Sequence, residues 1–275
     1  MINLLYSGNT KVYDGFMLSL LSAARNTKES LNVYILTASF VDMDPRFTPV
    51  TVEQAALLEK MIRPFNDESR VNLLDVRELF DQYMGHHCIN LKNGYTPYAL
   101  LRLLMDIIPG LPDRILYLDA DTIVTGDLKE LYEYDLKDKT VGAVRDYLGR
   151  FFIGINYVNS GVMLINMKQA REEHLFFRAR EQVNKILMGF PDQTALNHCL
   201  TGKKRYLPRR FNAMRHLTKK TVVRHYCKMI IWFPFHIINV KPWQIDDIHR
   251  RWHVYAHDDL YFDFLKFKRD NAMEK

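Results

Sequence analysis

The sequence contains little cysteine. Three cysteines occur among its 275 residues, Cys88, Cys199 and Cys227, and they are widely spaced and odd in number. A disulfide framework needs paired cysteines, and a cysteine zinc site needs them at short, regular spacings. The sequence therefore supports neither a disulfide-stabilised secreted fold nor a structural zinc module.

Long apolar runs are also lacking. Residues 1–6 look like a strand and carry neither the basic leader nor the apolar core of a secretory signal. The most apolar late segment, residues 229–240, is too short to span a bilayer and is interrupted by Pro234 and His236. Repeats and low-complexity segments do not occur. We therefore expect an ordinary globular protein of the cytoplasm.

The composition allows a full hydrophobic core, with 48% hydrophobic and 25% charged residues, in one large domain or two closely packed ones. The charge is uneven. Residues 201–275 carry 17 basic and 7 acidic side chains, a net charge of +10, so the first 200 residues sum to −4. This basic end indicates an anionic partner, such as nucleotide phosphates or a membrane surface, unless it is only a solvated face. Nucleic acid is disfavoured because no binding motif accompanies the charge.

The first half of the chain alternates between strand and helix patterns. Thr51 and Gln54 form a capping box at the start of one helix. We predict strands at residues 3–6, 31–37, 71–74 and 115–118, and helices at residues 14–26, 51–65 and 98–108. Such alternation predicts a mainly parallel sheet in an α/β fold.

The second half is less regular. We predict strands at residues 141–144, 157–166 and 221–226, a helix at residues 169–185, and another helix that begins with Asp192 as its N-cap. An aromatic and basic tail follows.

Two carboxylates, Asp119 and Asp121, stand directly after the apolar strand at residues 115–118. Both can reach one hard divalent cation through oxygen ligands, although a bare Asp-x-Asp is more often a solvated turn. Haloacid-dehalogenase phosphatases also carry an Asp-x-Asp after a strand, with the first aspartate as nucleophile. In them the motif ends the first strand of the domain, whereas Asp119 follows a later strand, so this alternative fits less well.

Five segments in order resemble the family 8 glycosyltransferases, which include glycogenin and bacterial lipopolysaccharide galactosyl- and glucosyltransferases. They are ILYLDADTIVTGDL (115–128), YVNSGVMLINMKQAR (157–171), FPDQTALN (190–197), LPRRFN (207–212) and KPW (241–243). Each is weak alone, but the set is specific. The resemblance implies a GT-A type nucleotide-sugar transferase fold, with a Rossmann-like catalytic domain at residues 1–243 and a basic aromatic extension at residues 244–275.

The resemblance implies that Asp119 and Asp121 hold Mn²⁺, or Mg²⁺ in its place, against the diphosphate of a UDP-sugar. The family's third ligand is a histidine in a His-aromatic-x-Gly segment shortly before Lys-Pro-Trp. This sequence departs from that pattern in two ways. Three residues after His225, Lys228 stands where glycine is usual, and His225 lies sixteen residues before Lys241. His236 is closer to Lys241. We favour His225 because a strand positions a ligand better than an irregular loop.

The remaining site residues also come from the resemblance. Lys241 would grip the diphosphate as a point positive charge. Asp192 and Gln193 match the sugar-facing catalytic pair, although Asp192 also suits a helix N-cap. The donor-binding residues would be Ser7 and Asn9 in the uridine loop, Arg102, Ala120, Asn159, Ser160 and Lys241. An acidic residue is common where Asn9 stands.

These residues imply transfer of a hexose, glucose or galactose, from a UDP-sugar to a glycan or glycolipid with retention of anomeric configuration. The mechanism is either double displacement or front-face attack, and the sequence does not choose between them. Aromatic and basic residues of the tail could contact an anionic membrane or pack as an amphipathic helix. A phosphatase using Asp119, and a non-catalytic carbohydrate- or membrane-binding protein on a transferase scaffold, are the alternatives.

Overall fold

A computed structural model of the chain describes residues 1–93, 95–233 and 235–272. Six side chains in these ranges lie outside the description: His86, Asn93, Ile231, Trp232, Phe235 and His236. The strands are β1 (Ile2–Ser7), β2 (Leu31–Thr37), β3 (Arg70–Asp75), β4 (Arg114–Leu118), β5 (Thr122–Val124), β6 (Val141–Arg145), β7 (Val158–Asn166), β8 (Lys204–Tyr206), β9 (Val223–His225), β10 (Met229–Trp232) and β11 (Phe235–Ile238).

Helices connect and flank these strands. The α-helices are α1 (Tyr13–Asn26), α2 (Val52–Ile62), α3 (Arg77–Tyr83), α4 (Pro97–Leu100), α5 (Lys129–Tyr132), α6 (Gly149–Phe152), α7 (Met167–Glu172), α8 (Leu175–Lys185), α9 (Pro191–Cys199), α10 (Ile245–Asp247) and α11 (Asp258–Asp270). Short 3₁₀ helices span Thr10–Val12, Gly85–His87, Leu91–Asn93, Leu101–Ile107 and Arg209–Phe211, and a π-helical turn spans Ile248–Trp252. None of the described helices combines the length and apolar character needed to cross a bilayer.

Seven strands form one sheet in the order β3-β2-β1-β4-β7-β6-β8. The pairs among β3, β2, β1 and β4 are all parallel, whereas β7 runs antiparallel to both β4 and β6. The α/β class and the mainly parallel sheet are thus confirmed. Strand order reverses between β1 and β4, and in such sheets the crevice at the carboxyl ends of those two strands binds ligands.

Both faces of the sheet are covered, which explains why its central strands are continuously apolar rather than alternating. On one face, Leu4 and Leu116 pack under α1 and α2. On the other face, Leu5 and Ile115 pack under the 3₁₀ helix Leu101–Ile107 and the α8–α9 pair. Each fully buried aliphatic side chain contributes about 1.5–3 kcal/mol. This three-layer packing holds the ends of β1 and β4 side by side.

Three predicted helices differ from those observed. The helix predicted at residues 98–108 is α4 followed by a 3₁₀ helix. The helix predicted at residues 169–185 breaks into α7 and α8 at His174, whose backbone is left-handed with φ of 52°. Asp192 is not an N-cap, because α9 starts at Pro191 with Phe190 as its N-cap residue. Proline suits the first helical position, since its missing N–H needs no partner there.

The C-terminal segment packs on the first helix of the fold. Leu260, Tyr261 and Phe264 of α11 are buried in the same core as α1, and Lys268 forms an ion pair with Asp14 at 2.9 Å. Of the two expectations for the tail, packing as an amphipathic helix therefore describes these residues. The domain boundary at residue 243 stays a prediction.

The middle residue of strand β9 is a buried arginine. Arg224 is 1% exposed, and its guanidinium lies 5.1 Å from the Tyr226 ring and 4.8 Å from the Trp252 ring. His257, the residue before α11, contacts Tyr226 edge to face. The tail thus covers the underside of β9, the strand that carries His225.

His257 predicts an acid-sensitive contribution to stability. Burial, followed by the charge of Arg224, lowers the pKa of His257 to about 4, against opposing effects of Asp258 and Asp259. The folded state keeps this imidazole neutral, so its contribution is complete above the unfolded pKa of about 6.5 and is lost as the pH falls toward 4. We expect about 3 kcal/mol of wild-type stability to disappear over that window through this group.

Urea unfolding of wild type and His257→Gln between pH 4 and 7 measures this contribution. The difference between the two unfolding free energies should shrink as the pH falls. The exposed His216 provides the control, and His216→Gln should keep the wild-type profile. Parallel profiles for wild type and His257→Gln would contradict the assignment.

Candidate active site

The two aspartates lie at the switch point. The Asp119 backbone N–H donates to the Gly161 carbonyl at 2.8 Å, which extends the β4–β7 pairing beyond Leu118. The Thr122 hydroxyl donates to the Asp119 carbonyl at 2.8 Å and closes the turn into β5. This tight turn keeps the carboxylates of Asp119 and Asp121 together at the edge of the crevice.

His225 is the third member of this group. It pairs with Thr122 across the β5–β9 ribbon, and its Nε2 lies 3.1 Å from Asp121 Oδ1 and 3.7 Å from Asp119 Oδ2. One ligand atom from each of the three residues lies within 4.8 Å of the others. Two carboxylates and an imidazole suit a divalent ion such as Mn²⁺ or Mg²⁺. The rival candidate His236 lies in β11, and its side chain is outside the described residues.

Gly161 makes the close approach of the three residues possible. A Cβ at this position would lie 2.3 Å from His225 Cε1 and 2.6 Å from Asp119 Oδ2. Both distances are far below van der Waals contact, so no side chain fits. Asn159, Ser160 and Gly161 lie within β7, as the strand predicted at residues 157–166 implies, and pairing to β4 and β6 fixes their backbone directions.

A series of side-chain hydrogen bonds links Asp146, Asn159 and Asn212 to Nδ1 of His225. The side-chain Nδ2 of Asn159 donates to Asp146 Oδ2 at 3.0 Å, and its side-chain Oδ1 accepts from the Gly161 N–H at 3.0 Å. That same oxygen accepts from Asn212 Nδ2 at 2.9 Å, which turns Asn212 Oδ1 toward His225 Nδ1 at 3.1 Å. A carboxylate only accepts and a backbone N–H only donates, so both amides have one consistent orientation.

The consequence for His225 is a fixed ring orientation. Its Nδ1 donates to Asn212 Oδ1, so Nε2, the atom facing the two aspartates, is the nitrogen that would bind a cation. A partner behind a ligating histidine fixes the tautomer and the ring orientation in metal sites. The three residues therefore fit a divalent ion in donor chemistry as well as in spacing.

We predict that Asn212→Ala weakens Mn²⁺ binding by about 10–100-fold, because the histidine loses its oriented partner. Mn²⁺ titration followed by electron paramagnetic resonance measures the affinity directly. Asn72→Ala is a matched control, since Asn72 hydrogen-bonds to Asn32 and Val33 within the sheet. Equal Mn²⁺ affinity in wild type and Asn212→Ala would contradict a role for the Asn212–His225 hydrogen bond in metal binding.

Asp119 is also held by a buried arginine. Arg102 Nη2 donates to Asp119 Oδ1 at 2.7 Å, and the guanidinium lies over the Tyr117 ring at 4.4 Å. An arginine on a helix is more often solvated, but the side chain of Arg102 is only 7% exposed. Burial alone would lower the pKa of Arg102, but the carboxylates around it raise that pKa overall. Arg102 is thus a permanent cation inside the site.

Asp192 is tied into the same network. Arg102 Nε lies 3.3 Å from Asp192 Oδ2, and the Tyr95 hydroxyl donates to Asp192 Oδ1 at 2.6 Å. The neighbouring Gln193 accepts from the Ser160 N–H at 3.0 Å. Burial and the charge of Asp192 raise the pKa of Tyr95, so this phenol stays a donor. Both oxygens of Asp192 are therefore engaged.

Lys241 approaches the aspartates from the segment after the β10–β11 hairpin. Its Nζ lies 2.5 Å from Asp121 Oδ2. Burial raises the pKa of Asp121, but the charges and hydrogen bonds of Lys241 and His225 together outweigh this effect and hold that pKa well below its usual range. Two residues on, Trp243 packs against Gly15 of α1, where a Cβ would lie 2.5 Å from the indole. Trp243 thus fixes the Lys-Pro-Trp segment beside the site.

An open cavity of about 470 Å³ adjoins these groups. Asn9 is 4% exposed beside it, and its Nδ2 has no well-formed hydrogen bond among the described residues. The Ser7 hydroxyl bonds to the Tyr117 hydroxyl at 3.0 Å. The sequence-predicted residues that line the cavity are Ser7, Asn9, Arg102, Asp119, Ala120, Asp121 and Lys241. The others, Asn159, Ser160, Asp192, Gln193 and His225, join them through the hydrogen bonds described above.

Four residues of the site escaped prediction: Tyr95, Tyr117, Asp146 and Asn212. Two carried a usable signal, because Tyr117 lies two residues before Asp119 on the same strand face and Asp146 directly follows β6. Asn212 lay within a recognised motif without being assigned a role. Tyr95 is in an irregular segment and had no signal.

Known proteins share this architecture. The solved structure of the galactosyltransferase LgtC, in complex with donor and acceptor sugar analogs, superposes with a TM-score of 0.71 over 96% of both chains at 21% identity. That of glycosyltransferase GlyE of Streptococcus pneumoniae gives 0.61 over 98% of this chain and 65% of GlyE, at 19% identity. At these identities the likeness shows the fold, and it confirms the predicted GT-A type.

The sequence itself is similar to those of known bacterial transferases. A lipopolysaccharide 1,2-glucosyltransferase of Escherichia coli is 25% identical over 93% of this chain and 83% of that protein. Glycosyltransferase GlyF of Streptococcus pneumoniae is 29% identical over 81% of this chain, which spans only 55% of GlyF. The phosphatase alternative is not favoured by any of these matches. Residues 3–247 match the family described as Glycosyl transferase family 8. The chain therefore belongs to family 8 and is a glycosyltransferase.

Proposed function

We propose that this enzyme transfers a hexose from a UDP-sugar to a glycan or glycolipid of the cell envelope, with retention of configuration and with Mn²⁺ held by Asp119, Asp121 and His225. The observation that carries the proposal is the meeting of these three side chains at a switch-point cavity that also contains Lys241. The E. coli relative supports an envelope glycan as acceptor. Bound there, a divalent cation would neutralise the charge that develops on the departing UDP.

Residues of the protein would also bind the UDP group and stabilise its negative charge. Lys241 is the cation nearest to the aspartates, and we propose that it exchanges its contact with Asp121 for a diphosphate oxygen when the donor binds. Asn9, buried beside the cavity with no well-formed hydrogen bond at its Nδ2 among the described residues, would read the uracil or ribose. Ser7, Arg102 and Ala120 complete the donor-binding set.

On the sugar side, we assign Asp192 and Gln193 to orientation of the hexose. Asp192 accepts from Tyr95 and pairs with Arg102, which lowers its availability as a nucleophile. This favours front-face attack: the acceptor oxygen bonds to the anomeric carbon as the carbon–oxygen bond to UDP breaks, and the acceptor proton passes to a phosphate oxygen. A hexose adduct on the protein, detected by mass spectrometry after mixing with donor alone, would support double displacement instead.

The test of the proposal is a thermal-shift titration with UDP-glucose and UDP-galactose, with and without Mn²⁺. We expect one of the two donors to raise the melting temperature only when Mn²⁺ is present, because binding to the native state stabilises it. If neither donor does so, and UDP-sugar hydrolysis is also undetectable, the proposal fails. A peripheral contact of the tail with anionic membranes is a separate prediction, checked by vesicle sedimentation.

A further inference from the structure

A second cavity, of about 380 Å³, lies beside the site between α6 and the segment at residues 209–218. It shares no lining residue with the donor cavity that contains Lys241. Its closest link to the site is Asn212, which lines the cavity and also hydrogen-bonds to His225 and Asn159. Two of its lining residues, Arg145 and Tyr147, flank Asp146, whose Oδ2 accepts from Asn159 at 3.0 Å and from Gln193 Nε2 at 3.5 Å. The second cavity therefore lies next to the residues proposed to face the sugar, without being part of the proposed diphosphate site.

The wall of this cavity is strongly basic. Among the residues that the structure describes, five arginines and one histidine line it and no acidic residue does. Arg210 forms an ion pair with Glu130 at 2.5 Å. Within the described part of the chain, the other four guanidinium groups have no carboxylate within 4.0 Å: Arg145, Arg150, Arg209 and Arg215. Mutual repulsion of four unneutralised cations destabilises the empty cavity and favours an anion within it.

Aromatic contacts, rather than acids, position several of these cations. The guanidinium of Arg145 lies 3.8 Å from the Tyr206 ring, and that of Arg150 lies 4.5 Å from the Phe151 ring. Arginine stacked on a ring keeps its forked donors available, and Arg150 Nε is buried without a hydrogen-bond partner among the described residues. Such forks match the oxygens of a phosphate, which they bind with two parallel hydrogen bonds.

An apolar rim adjoins the cations. Phe151 and Phe152 line the cavity and are 71% and 66% exposed. Exposed aromatic faces beside a polar cavity mark a recognition surface, and the apolar face of a sugar ring can pack against them. A free phosphate or a nucleotide base would not require this combination of several unpaired arginines and a flanking aromatic rim.

We propose that this cavity is the acceptor subsite and that the acceptor is a phosphorylated saccharide. The arginines bind its phosphate, Phe151 and Phe152 contact a sugar ring, and the acceptor hydroxyl is thereby presented toward the donor sugar beside Gln193. The inference rests on the proposed function for the reaction, but the binding it claims is measurable without turnover.

The test uses glucose 6-phosphate as the probe and glucose and glucuronate as comparisons, with the enzyme saturated in Mn²⁺ and UDP. Saturation-transfer NMR should detect glucose 6-phosphate and not glucose. The double variant Arg209→Gln/Arg215→Gln, both at exposed positions, should bind the probe roughly tenfold or more weakly. The control variant Arg63→Gln/Arg250→Gln removes the same charge elsewhere and should bind like wild type. If glucuronate binds as tightly as glucose 6-phosphate, the cavity is a general anion-binding site and the assignment to phosphate is overturned.

Two further outcomes would overturn the proposal. If the Arg209/Arg215 double variant binds the probe as tightly as wild type does, the cavity does not bind the acceptor. Absence of probe binding, together with binding to phosphatidylglycerol vesicles that the double variant loses, would make the cavity a membrane contact. UDP binding in the same samples is read separately, so failure of the donor proposal is distinguishable from failure of the acceptor subsite.

Discussion

Asp121→Asn is expected to lower transfer activity by roughly a thousandfold, since a cation at a leaving diphosphate supplies several kcal/mol of stabilisation. Both carboxylate oxygens of Asp121 are committed, one facing His225 Nε2 at 3.1 Å and the other Lys241 Nζ at 2.5 Å. Asparagine keeps the shape of the Asp121 side chain but removes its negative charge, which interacts with Lys241 and would interact with a bound cation. Steady-state rates with the donor identified by thermal shift, and Mn²⁺ affinity by titration, should fall together.

Asp127→Asn is the matched control for this variant. Asp127 lies six residues further on, where its carboxylate accepts from the Lys129 N–H at 2.9 Å in an exposed turn. Its substitution should leave both Mn²⁺ affinity and rate near wild type. Loss of activity in Asp121→Asn with unchanged Mn²⁺ affinity would contradict the role as ligand and point to Lys241 instead.

Arg102→Met is expected to destabilise the fold by about 3–5 kcal/mol, the range seen when one partner of a buried ion pair is removed. Two carboxylates lose their cation, and that of Asp192 is 5% exposed and cannot be rehydrated in place. Because Arg102 also donates to the Ser160 carbonyl at 3.1 Å, the sugar-facing part of β7 loses a support. Urea unfolding and donor affinity should therefore both deteriorate.

A second buried arginine separates these two effects. Arg180 is 4% exposed and pairs with Asp106, and neither residue is among the described residues that line the donor cavity. Arg180→Met should lower the unfolding free energy to a similar extent while donor affinity, measured below the melting transition, stays at the wild-type value. If both variants lose stability and neither loses donor affinity, Arg102 has only a structural role.

The sequence predicted the first half of the fold well because its local and tertiary preferences agree. The capping box of Thr51 and Gln54 is present at the start of α2, and the strand predicted at residues 31–37 is β2. The Asp-x-Asp was located correctly at a strand end. Local signals were sufficient here, since each strand is apolar and each helix has a conventional start.

Prediction was weaker where tertiary contacts override local pattern. The break at His174 between α7 and α8 has no glycine or proline to announce it. Asp192 has the residue type of an N-cap, but its carboxylate is drawn to Arg102 and Tyr95 from two other segments. The burial of Arg102 could not be read from its helix, because the acids that neutralise it lie 17 and 90 positions away.

Fold class, the position of the acidic pair and family membership are readable from the sequence, because hydrophobic periodicity and short motifs are local properties of the chain. Which side chains contact one another depends instead on the tertiary structure. Folding brings His225 within 3.1 Å of Asp121, places Asn212 against His225 Nδ1 and gathers five arginines around a second cavity. Those juxtapositions depend on strand pairing between residues about 100 positions apart, and no local pattern encodes such distances.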